Sequence, residues 1–318
     1  MKKNFLIGAI ILGAASFSML TGFDSALTAE DVLAKSQEAG FNMEQVSADA
    51  GINFDVNIAV PAADMTLGIK ADGKETMGMT MNPLGLAADM DMAVSAMGQN
   101  LNMKANIYGV MEEGNQFAMY TKVAMEGEEA PQWTKTTTDA SQITAAMDQM
   151  KEMKFDFSSL PFTFKLDPEP MNVNGKECYV LSTSATFNEI YLLAEPFLGQ
   201  LPEGITKEEL DTYSQLLSGL VFNLQMCVDT ETFRPMSAHF DLEGSDLTTI
   251  AAMVSSLFGA DENGNAYEVN LSVNAAAIDI TYDYETPVEI VLPADAASAQ
   301  AVDPSSLLDM VESADDAA

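Results

Sequence analysis

Apolar and polar residues alternate along the chain from Phe54 to Met125, and this alternation constrains the fold more than any other feature of the sequence. Successive side chains of a β-strand point to opposite faces, so a period of two predicts strands with one apolar face and one face in water. The apolar positions are Phe54, Val56, Ile58, Val60, then Met65, Leu67, Ile69, then Met77, Met79, Met81, then Met90, Met92, Val94, then Leu101, Met103, Ala105, Ile107, and finally Phe117, Met119, Thr121, Val123 and Met125.

Turn residues separate these runs. They are Pro61, Asp72-Gly73, Asn82-Pro83, Gly98-Gln99-Asn100 and Glu113-Gly114-Asn115. Connections this short favour antiparallel neighbours, because parallel strands require crossovers of a dozen residues or more. The stretch therefore predicts an antiparallel meander with one methionine-rich face.

Helix signals flank the meander. Thr28 is expected to cap a helix that ends near Gly40, and Thr138 or Asp139 is expected to cap a second helix. Further caps are predicted at Thr206 and Ser245. The apolar stripe of the second helix consists of Ile143, Met147, Met150 and Met153.

More strands are expected in the second half of the chain. They cover 177–181, 221–228, 233–242 and 269–284, the last with a bulge or break before Ile278, and a short strand at 288–292. The sequence thus predicts an α+β fold with a single domain over residues 28–293. The small and acidic residues 294–318 are expected to form a mostly disordered tail.

The charge of the chain excludes several classes of partner. Of 318 residues, 14 are Lys or Arg and 48 are Asp or Glu, which gives a net charge of −34. Such a surface repels nucleic acid and anionic lipid headgroups. Hydrophobic residues make up 47% of the sequence, which is enough for a folded core.

The first 22 residues resemble a secretory signal, with Lys2 and Lys3 ahead of an apolar stretch. Leu20-Thr21-Gly22 matches the end of a bacterial lipobox, but Phe23 stands where the lipid-bearing Cys would be, so lipid attachment at this position is chemically excluded. Cleavage is expected between residues 22 and 29. We expect an extracytoplasmic protein that is either secreted or held at the outer face of the membrane by an uncleaved signal.

Two cysteines, Cys178 and Cys227, lie on strand-like runs. An even number of cysteines in an exported protein favours a disulfide. Two buried free thiols are the alternative.

Residue patterns for catalysis are sparse. The one histidine, His239, lies on a predicted strand, and the sequence contains no metalloprotease, redox, nucleophile-elbow or P-loop motif. Residues 261–265 have some likeness to a calcium loop but lack its spacing, so a plain turn is favoured. We therefore expect no enzymatic activity, no cofactor and no metal.

The 22 methionines admit three interpretations. They occupy strand positions that elsewhere hold Val, Ile and Leu, which is typical of a core or of the lining of a lipid cavity. Thioethers also bind Cu(I). Flexible and polarisable Met side chains also form surfaces that adapt to varied apolar ligands.

Several short motifs resemble a known family of exported Gram-positive lipoproteins. They are Gln132-Trp133-Thr134-Lys135, the run 174–181 that contains Cys178, and the turn 228–236. These lipoproteins are similar to LolA/LppX-type carriers. The resemblance implies a half-open antiparallel β-barrel that is covered by helices and holds an acyl chain or another apolar ligand.

We therefore expect a monomeric, non-enzymatic protein that sequesters a lipid or other apolar molecule, with a cell-envelope protein as a possible partner. The alternative is a cell-surface structural or protein-interaction domain with a closed core. The predicted ligand-binding residues are Phe54, Met79, Met90, Met92, Met103, Phe117, Met119, Trp133, Met147 and Met150.

Overall fold

The computed structural model describes residues 27–96, 98–127, 131–152, 160–173, 175–198, 212, 214–258 and 267–302. Five predicted features lie outside these residues: the signal and its cleavage region up to residue 26, Met153, most of the helix capped at Thr206, the turn at 261–265, and the chain from residue 303.

Thirteen strands of the described chain form one sheet. They are β1 (Gln45–Val60), β2 (Met65–Met81), β3 (Leu84–Ala96), β4 (Gln99–Glu112), β5 (Gln116–Met125), β6 (Thr134–Asp139), β7 (Lys165–Leu166), β8 (Met171–Val173), β9 (Lys176–Thr186), β10 (Val221–Asp229), β11 (Pro235–Asp241), β12 (Asn270–Asp283) and β13 (Gln300–Ala301). Their order is β13-β6-β5-β4-β3-β2-β1-β12-β11-β10-β9-β7, and β8 also pairs with β9.

Neighbouring strands are antiparallel except for the pair of β13 with β6. The order does not close on itself, since β13 and β7 lie at opposite ends. The predicted α+β class with a half-open antiparallel sheet is therefore confirmed. The predicted break at Asp72-Gly73 is wrong, because β2 runs without interruption from Met65 to Met81.

Four α-helices lie entirely within the described residues: α1 (Ala29–Phe41), α2 (Ala140–Glu152), α3 (Phe187–Leu198) and α4 (Thr248–Phe258). The predicted cap of α1 at Thr28 is confirmed, and Asp31 completes a capping box because the two residues bond reciprocally. Asp139 Oδ1 accepts from Ser141 N at 2.9 Å, which identifies the cap of α2. At α4 the hydroxyl of Ser245 instead accepts from Val221 N, and Asp246 accepts from Thr248 N, so the predicted cap at Ser245 is wrong.

Three of these helices contact strands near the two ends of the sheet, and α4 contacts β12 in its middle. Val32 and Leu33 of α1 are buried in a cluster with Leu181 of β9 and Val228 of β10. The largest contacts of α2, α3 and α4 with the sheet are with β6, β9 and β12, respectively. Among the described residues, no helix combines the length and apolarity that a membrane crossing requires.

The register gives the sheet two unlike faces. The apolar face, as we name it, consists of the even-numbered residues of β1 and β3 and the odd-numbered residues of β2, β4 and β5. It continues onto β12 through Leu271, Val273, Ala276, Ile278, Ile280 and Tyr282, with a bulge at Asn274. The opposite side, the polar face, carries most of the charged and amide side chains of these strands.

The predicted disulfide is confirmed. Cys178 of β9 and Cys227 of β10 are bonded, with their Cα atoms 5.6 Å apart. Both cysteines are buried next to Val180, so the bond ties two neighbouring strands together below the surface.

Residues 284–302, the C-terminal strap, run across the polar face from β1 to β6. Gln45 on β1 bonds to the backbone of Thr286 and Val288, and Gln300–Ala301 adds β13 to the edge of β6. The predicted strand at 288–292 is absent, and the predicted disorder from residue 294 is wrong for 294–302, where a 3-10 helix (Ala294–Ser298) precedes β13. Burial of Ala296 beside Trp133 explains this order.

Candidate functional site

Several large apolar side chains on the apolar face remain partly exposed among the described residues. Six of these side chains expose more than a third of their area. They are Phe54 (36%), Leu101 (43%), Met119 (37%), Val123 (39%), Met125 (50%) and Ile278 (39%). Exposed apolar residues grouped on one surface are typical of a binding site, whereas single ones are normal anywhere.

Methionines lie side by side in the middle of this face. Met92 of β3 is directly opposite Met103 of β4, which is directly opposite Met125 of β5. On the other side of Met92 the row continues through Gly73 to Ile52. Because directly opposite residues share a face at about 5 Å, these thioether chains form one continuous adaptable strip.

Seven of the ten predicted ligand-binding residues share this face. They are Phe54, Met79, Met90, Met92, Met103, Phe117 and Met119. Phe117 is only 8% exposed because its ring lies over Gly109, where an added Cβ would be 2.9 Å from Phe117 Cε1. Phe117 therefore packs against β4 and leaves little of its surface available to a ligand.

The placement of Trp133 with these residues is wrong. Its side chain is buried on the polar face with Ala118, Tyr120 and Ala296. Residue 133 is in phase with Lys135, which is directly opposite Tyr120, so its side chain points away from the methionines. Trp133 anchors the C-terminal strap, as its backbone carbonyl also accepts from Gln300 N at 2.9 Å.

The two helical candidates lie on α2. Met147 is half-buried on this helix, whose main contact is with β6 at the edge of the meander. Met150 belongs to the same helix, but its side chain lies outside the described part of the chain.

Glu75 was missed by the sequence reasoning. It is half-buried on β2, on the apolar face, directly opposite Ala50 on one side and Met90 on the other. It is the one ionisable residue on this face of β1–β5, and it has no ion pair or side-chain hydrogen bond among the described residues. The alternation through Met77 and Met79 would have identified it if Asp72-Gly73 had not been interpreted as a turn.

The single histidine lies on the polar face. His239 Nδ1 is 2.7 Å from Asp279 Oδ1, and Nε2 is 3.2 Å from Asp241 Oδ2. The hydrogen bond with Asp279 raises the pKa of His239 above its usual 6.5, and partial burial opposes this effect. The described residues include no group of three or more His, Cys, Asp or Glu side chains arranged to hold a metal ion.

Solved structures with a similar fold come from several bacteria. LprF from Mycobacterium bovis is 11% identical, with 82% of this chain and 95% of that chain covered and a TM-score of 0.32. A LolA superfamily protein from Nitrosomonas europaea is 11% identical, with 81% of this chain and 92% of that chain covered and a TM-score of 0.20. A β-barrel-like protein from Brucella abortus, of the domain of unknown function DUF1849, is 8% identical, with 77% of this chain and 99% of that chain covered and a TM-score of 0.24.

These identities and TM-scores transfer no residue, ligand or activity to this chain. No curated protein matches its sequence significantly. Residues 28–245 match a family profile, and this range contains α1, the whole meander, the disulfide and Glu75. The chain therefore belongs to the family of unknown function DUF6612.

Proposed function

We propose that this protein is an exported, non-enzymatic binding protein that holds a lipid or another ligand with a long apolar part on its apolar face. The observation that carries this proposal is the group of six apolar side chains at least 36% exposed on one face of one sheet. Burying this surface under an apolar ligand releases free energy at roughly 25 cal/mol per Å².

The dimensions of the apolar face suit an extended chain. Strands β1–β5 span four inter-strand spacings of about 4.8 Å, so this part of the face is about 19 Å wide. The row from Ile52 through Met92 and Met103 to Met125 crosses that width without a polar side chain. Methionine adapts its three rotatable bonds to the shape of its partner, so such a row accepts apolar chains of varied shape.

The carboxylate of Glu75 indicates that the ligand also carries a polar group. A carboxylate without a partner on an apolar surface loses hydration when that surface is covered, and this cost is removed only by a donor from the ligand. We therefore propose that the bound molecule presents an ammonium or hydroxyl group to Glu75, while its apolar part lies along the methionine row.

Binding is favoured over catalysis because Glu75 is the single ionisable side chain on this face of β1–β5, so the face provides one candidate acid or base and no ionisable partner for it. We also propose an extracytoplasmic location, based on the signal-like residues 1–22 and on the disulfide, which persists in oxidising compartments.

Native mass spectrometry of the protein purified from its own host, followed by organic extraction, tests the proposal. We expect an additional mass at near-stoichiometric occupancy that is extracted as a lipid or another apolar molecule. Met92→Glu should abolish this mass by placing a carboxylate in the methionine row. Ser95→Glu is the matched control, because Ser95 lies on the polar face of the same strand, opposite Lys70.

A wild-type protein that carries no additional mass and also ignores added phospholipid vesicles would contradict the proposal. The same spectrum would identify the alternative, a protein-interaction domain, by a co-purified polypeptide whose mass replaces that of a lipid.

A further inference from the structure

A polar cleft lies on the opposite side of the sheet from the methionines. Its volume is about 590 Å³, and it lies where β7, β9, β10 and β11 run side by side. Its walls include Phe162, Lys165, Ser182, Gln225, His239 and Asp241. A cleft of this volume is in the range of small-molecule sites, which occupy roughly 300–1,000 Å³.

The sheet register places the polar side chains of this cleft in two parallel rows. In the first row Lys165 is directly opposite Ser182, Ser182 opposite Gln225, and Gln225 opposite His239. In the second row Ser184 is opposite Asn223, and Asn223 is opposite Asp241. Side chains in a row are about 5 Å apart and the rows are about 7 Å apart, so hydrogen-bonding groups cover the floor at close intervals.

Hydrogen bonds fix the second row in place. Ser184 Oγ donates to Asn223 Oδ1 at 2.6 Å, and Asn223 Nδ2 donates to Asp241 Oδ1 at 2.7 Å. Asp241 also accepts from Glu243 N at 2.7 Å and lies beside His239 Nε2. A network that is already satisfied holds its side chains in one orientation, which lowers the cost of binding a ligand above it.

The first row, in contrast, has hydrogen-bond donors and acceptors without a protein partner among the described residues. Ser182, Gln225 and the ammonium of Lys165 make no side-chain hydrogen bond within the described residues. Ser182 and Gln225 each offer both a donor and an acceptor, while Lys165 offers donors only. Phe162 adds an apolar wall, since its ring packs edge-on against Phe164 with centroids 5.9 Å apart.

We propose that this cleft is a second binding site, independent of the apolar face, and that it takes a short neutral oligosaccharide or a similar polyhydroxylated molecule. Hydroxyl groups both donate and accept, which matches Ser182 and Gln225, and the C–H face of a sugar ring packs on an aromatic side chain such as Phe162. The carboxylates of Glu189 and Asp241 disfavour an anion, and the polar floor disfavours a lipid.

The test titrates the full mature chain with maltose, cellobiose and N,N′-diacetylchitobiose separately, and follows side-chain amide signals by NMR. We expect saturable shifts of the Gln225 and Asn223 amides with at least one sugar, at a Kd on the order of 1 mM. Gln225→Ala should weaken this binding about tenfold.

Gln116→Ala is the matched control, because Gln116 is another half-buried amide on the polar face, at the start of β5 and outside the cleft. It should leave sugar binding unchanged, and thermal unfolding must show that both variants are folded. The proposal is overturned if none of the three sugars gives a saturable shift, if both variants bind equally, or if galacturonate or inorganic phosphate binds more tightly than every neutral sugar. Saturating the apolar face with lipid should not alter sugar binding.

Discussion

Ile290 of the C-terminal strap lies directly over Gly85 of β3, so that a Cβ added to this glycine would be 2.8 Å from Ile290 Cδ1. The same relationship recurs one strand away, where a Cβ on Gly78 would be 2.9 Å from Val288 Cγ1. Both glycines lie on the polar face. The strap therefore packs against backbone at these two points, and larger residues there would lift it from the sheet.

The first prediction concerns the contact between Val288 and Gly78. Gly78→Ala should destabilise the protein by about 1–3 kcal/mol, the usual cost of overpacking a tightly filled site, because the short β-branched side chain of Val288 cannot easily turn away from an added Cβ. It should also speed backbone hydrogen exchange in residues 284–302, because they pack less closely against the sheet. Chemical denaturation measures the first effect, and exchange followed by mass spectrometry measures the second.

Gly51→Ala serves as the control, since Gly51 lies on the polar face of β1 and a Cβ there meets nothing within 4 Å. Its stability should stay close to that of the wild type. Equal stability of both variants would show that the strap is not held by this contact.

The meander could be predicted from the sequence because alternation is a local signal that each strand carries by itself. The turns at Pro61, Asn82-Pro83 and Gly114 were placed correctly for the same reason. Asp72-Gly73 has turn residues but lies inside β2, where Gly73 is buried with Ile52 Cβ 3.4 Å from the position of an added Cβ. The pairing of Asp72 and Gly73 with β1 on one side and β3 on the other, which the sequence does not display, keeps β2 continuous there.

The strap and the position of Trp133 could not be predicted, because both depend on contacts between residues far apart in the chain. Ala296 is a small residue in an acidic tail, and composition alone predicts disorder for such a segment. Its burial against Trp133, more than 160 positions earlier, overrides that tendency. The polar cleft was missed for the same reason, since its residues come from four strands.

A second prediction follows from an ion pair that joins β4 and β6 across β5. Lys135 Nζ is 2.7 Å from Glu112 Oε1, and Tyr120 also donates to this carboxylate. The hydrogen bond from Lys135 lowers the pKa of Glu112, so the pair stabilises the fold above the unfolded-state pKa of Glu112 and is lost as the pH falls through its folded-state pKa. Lys135→Met should cost about 1 kcal/mol at pH 7 and less at pH 3.

Lys104→Met provides the comparison for this pair. Lys104 Nζ is also 2.7 Å from a carboxylate, that of Asp91, but these side chains are 70% and 64% exposed against 26% and 30% for Lys135 and Glu112. Solvent screens the exposed pair more strongly, so Lys104→Met should change stability less. Chemical denaturation at pH 7 and pH 3 measures the free energy of unfolding of both variants. Equal losses of stability in Lys135→Met and Lys104→Met would contradict the prediction.

A third prediction concerns His239, whose NMR titration is free of overlap because the chain has one histidine. Its pKa should lie above 6.5, chiefly because of the hydrogen bond with Asp279. Asp279→Asn should lower the pKa more than Asp241→Asn does. A group with a raised pKa stabilises the fold below its unfolded-state pKa, and this contribution disappears as the pH rises through the folded-state value. A wild-type pKa at or below 6.5 would contradict this prediction.

A fourth prediction separates the roles of charge and shape at Glu75. If the bound ligand presents an ammonium group, Glu75→Gln should weaken binding about tenfold, because a charged hydrogen bond is replaced by a neutral one. Glu75→Leu should bind such a ligand more weakly still, while raising the melting temperature because it removes an unpaired carboxylate from an apolar surface.

Asp72→Asn is the control for Glu75, since Asp72 is an exposed carboxylate on the opposite face of the same strand. Its ligand affinity should equal that of the wild type. An effect of Asp72→Asn as large as that of Glu75→Gln would show that overall charge, and not the position of Glu75, governs binding.

The fifth prediction uses methionine oxidation to locate the ligand. Hydrogen peroxide converts accessible methionines to sulfoxides, so in the ligand-free protein Met125 (50% exposed) and Met119 (37%) should react well before Met226, which is 7% exposed. A ligand on the apolar face should then slow the oxidation of Met119 and Met125 severalfold, because both lie on that face of β5. Met171 is the internal reference, since it is 46% exposed on β8, opposite Cys178 and away from the meander.

Peptide mass spectrometry of samples taken at several reaction times gives the oxidation rate of each methionine. Protection of Met171 equal to that of Met125 would mean that the ligand does not bind the apolar face, whereas protection confined to β3–β5 would place it along the row from Met92 through Met103 to Met125.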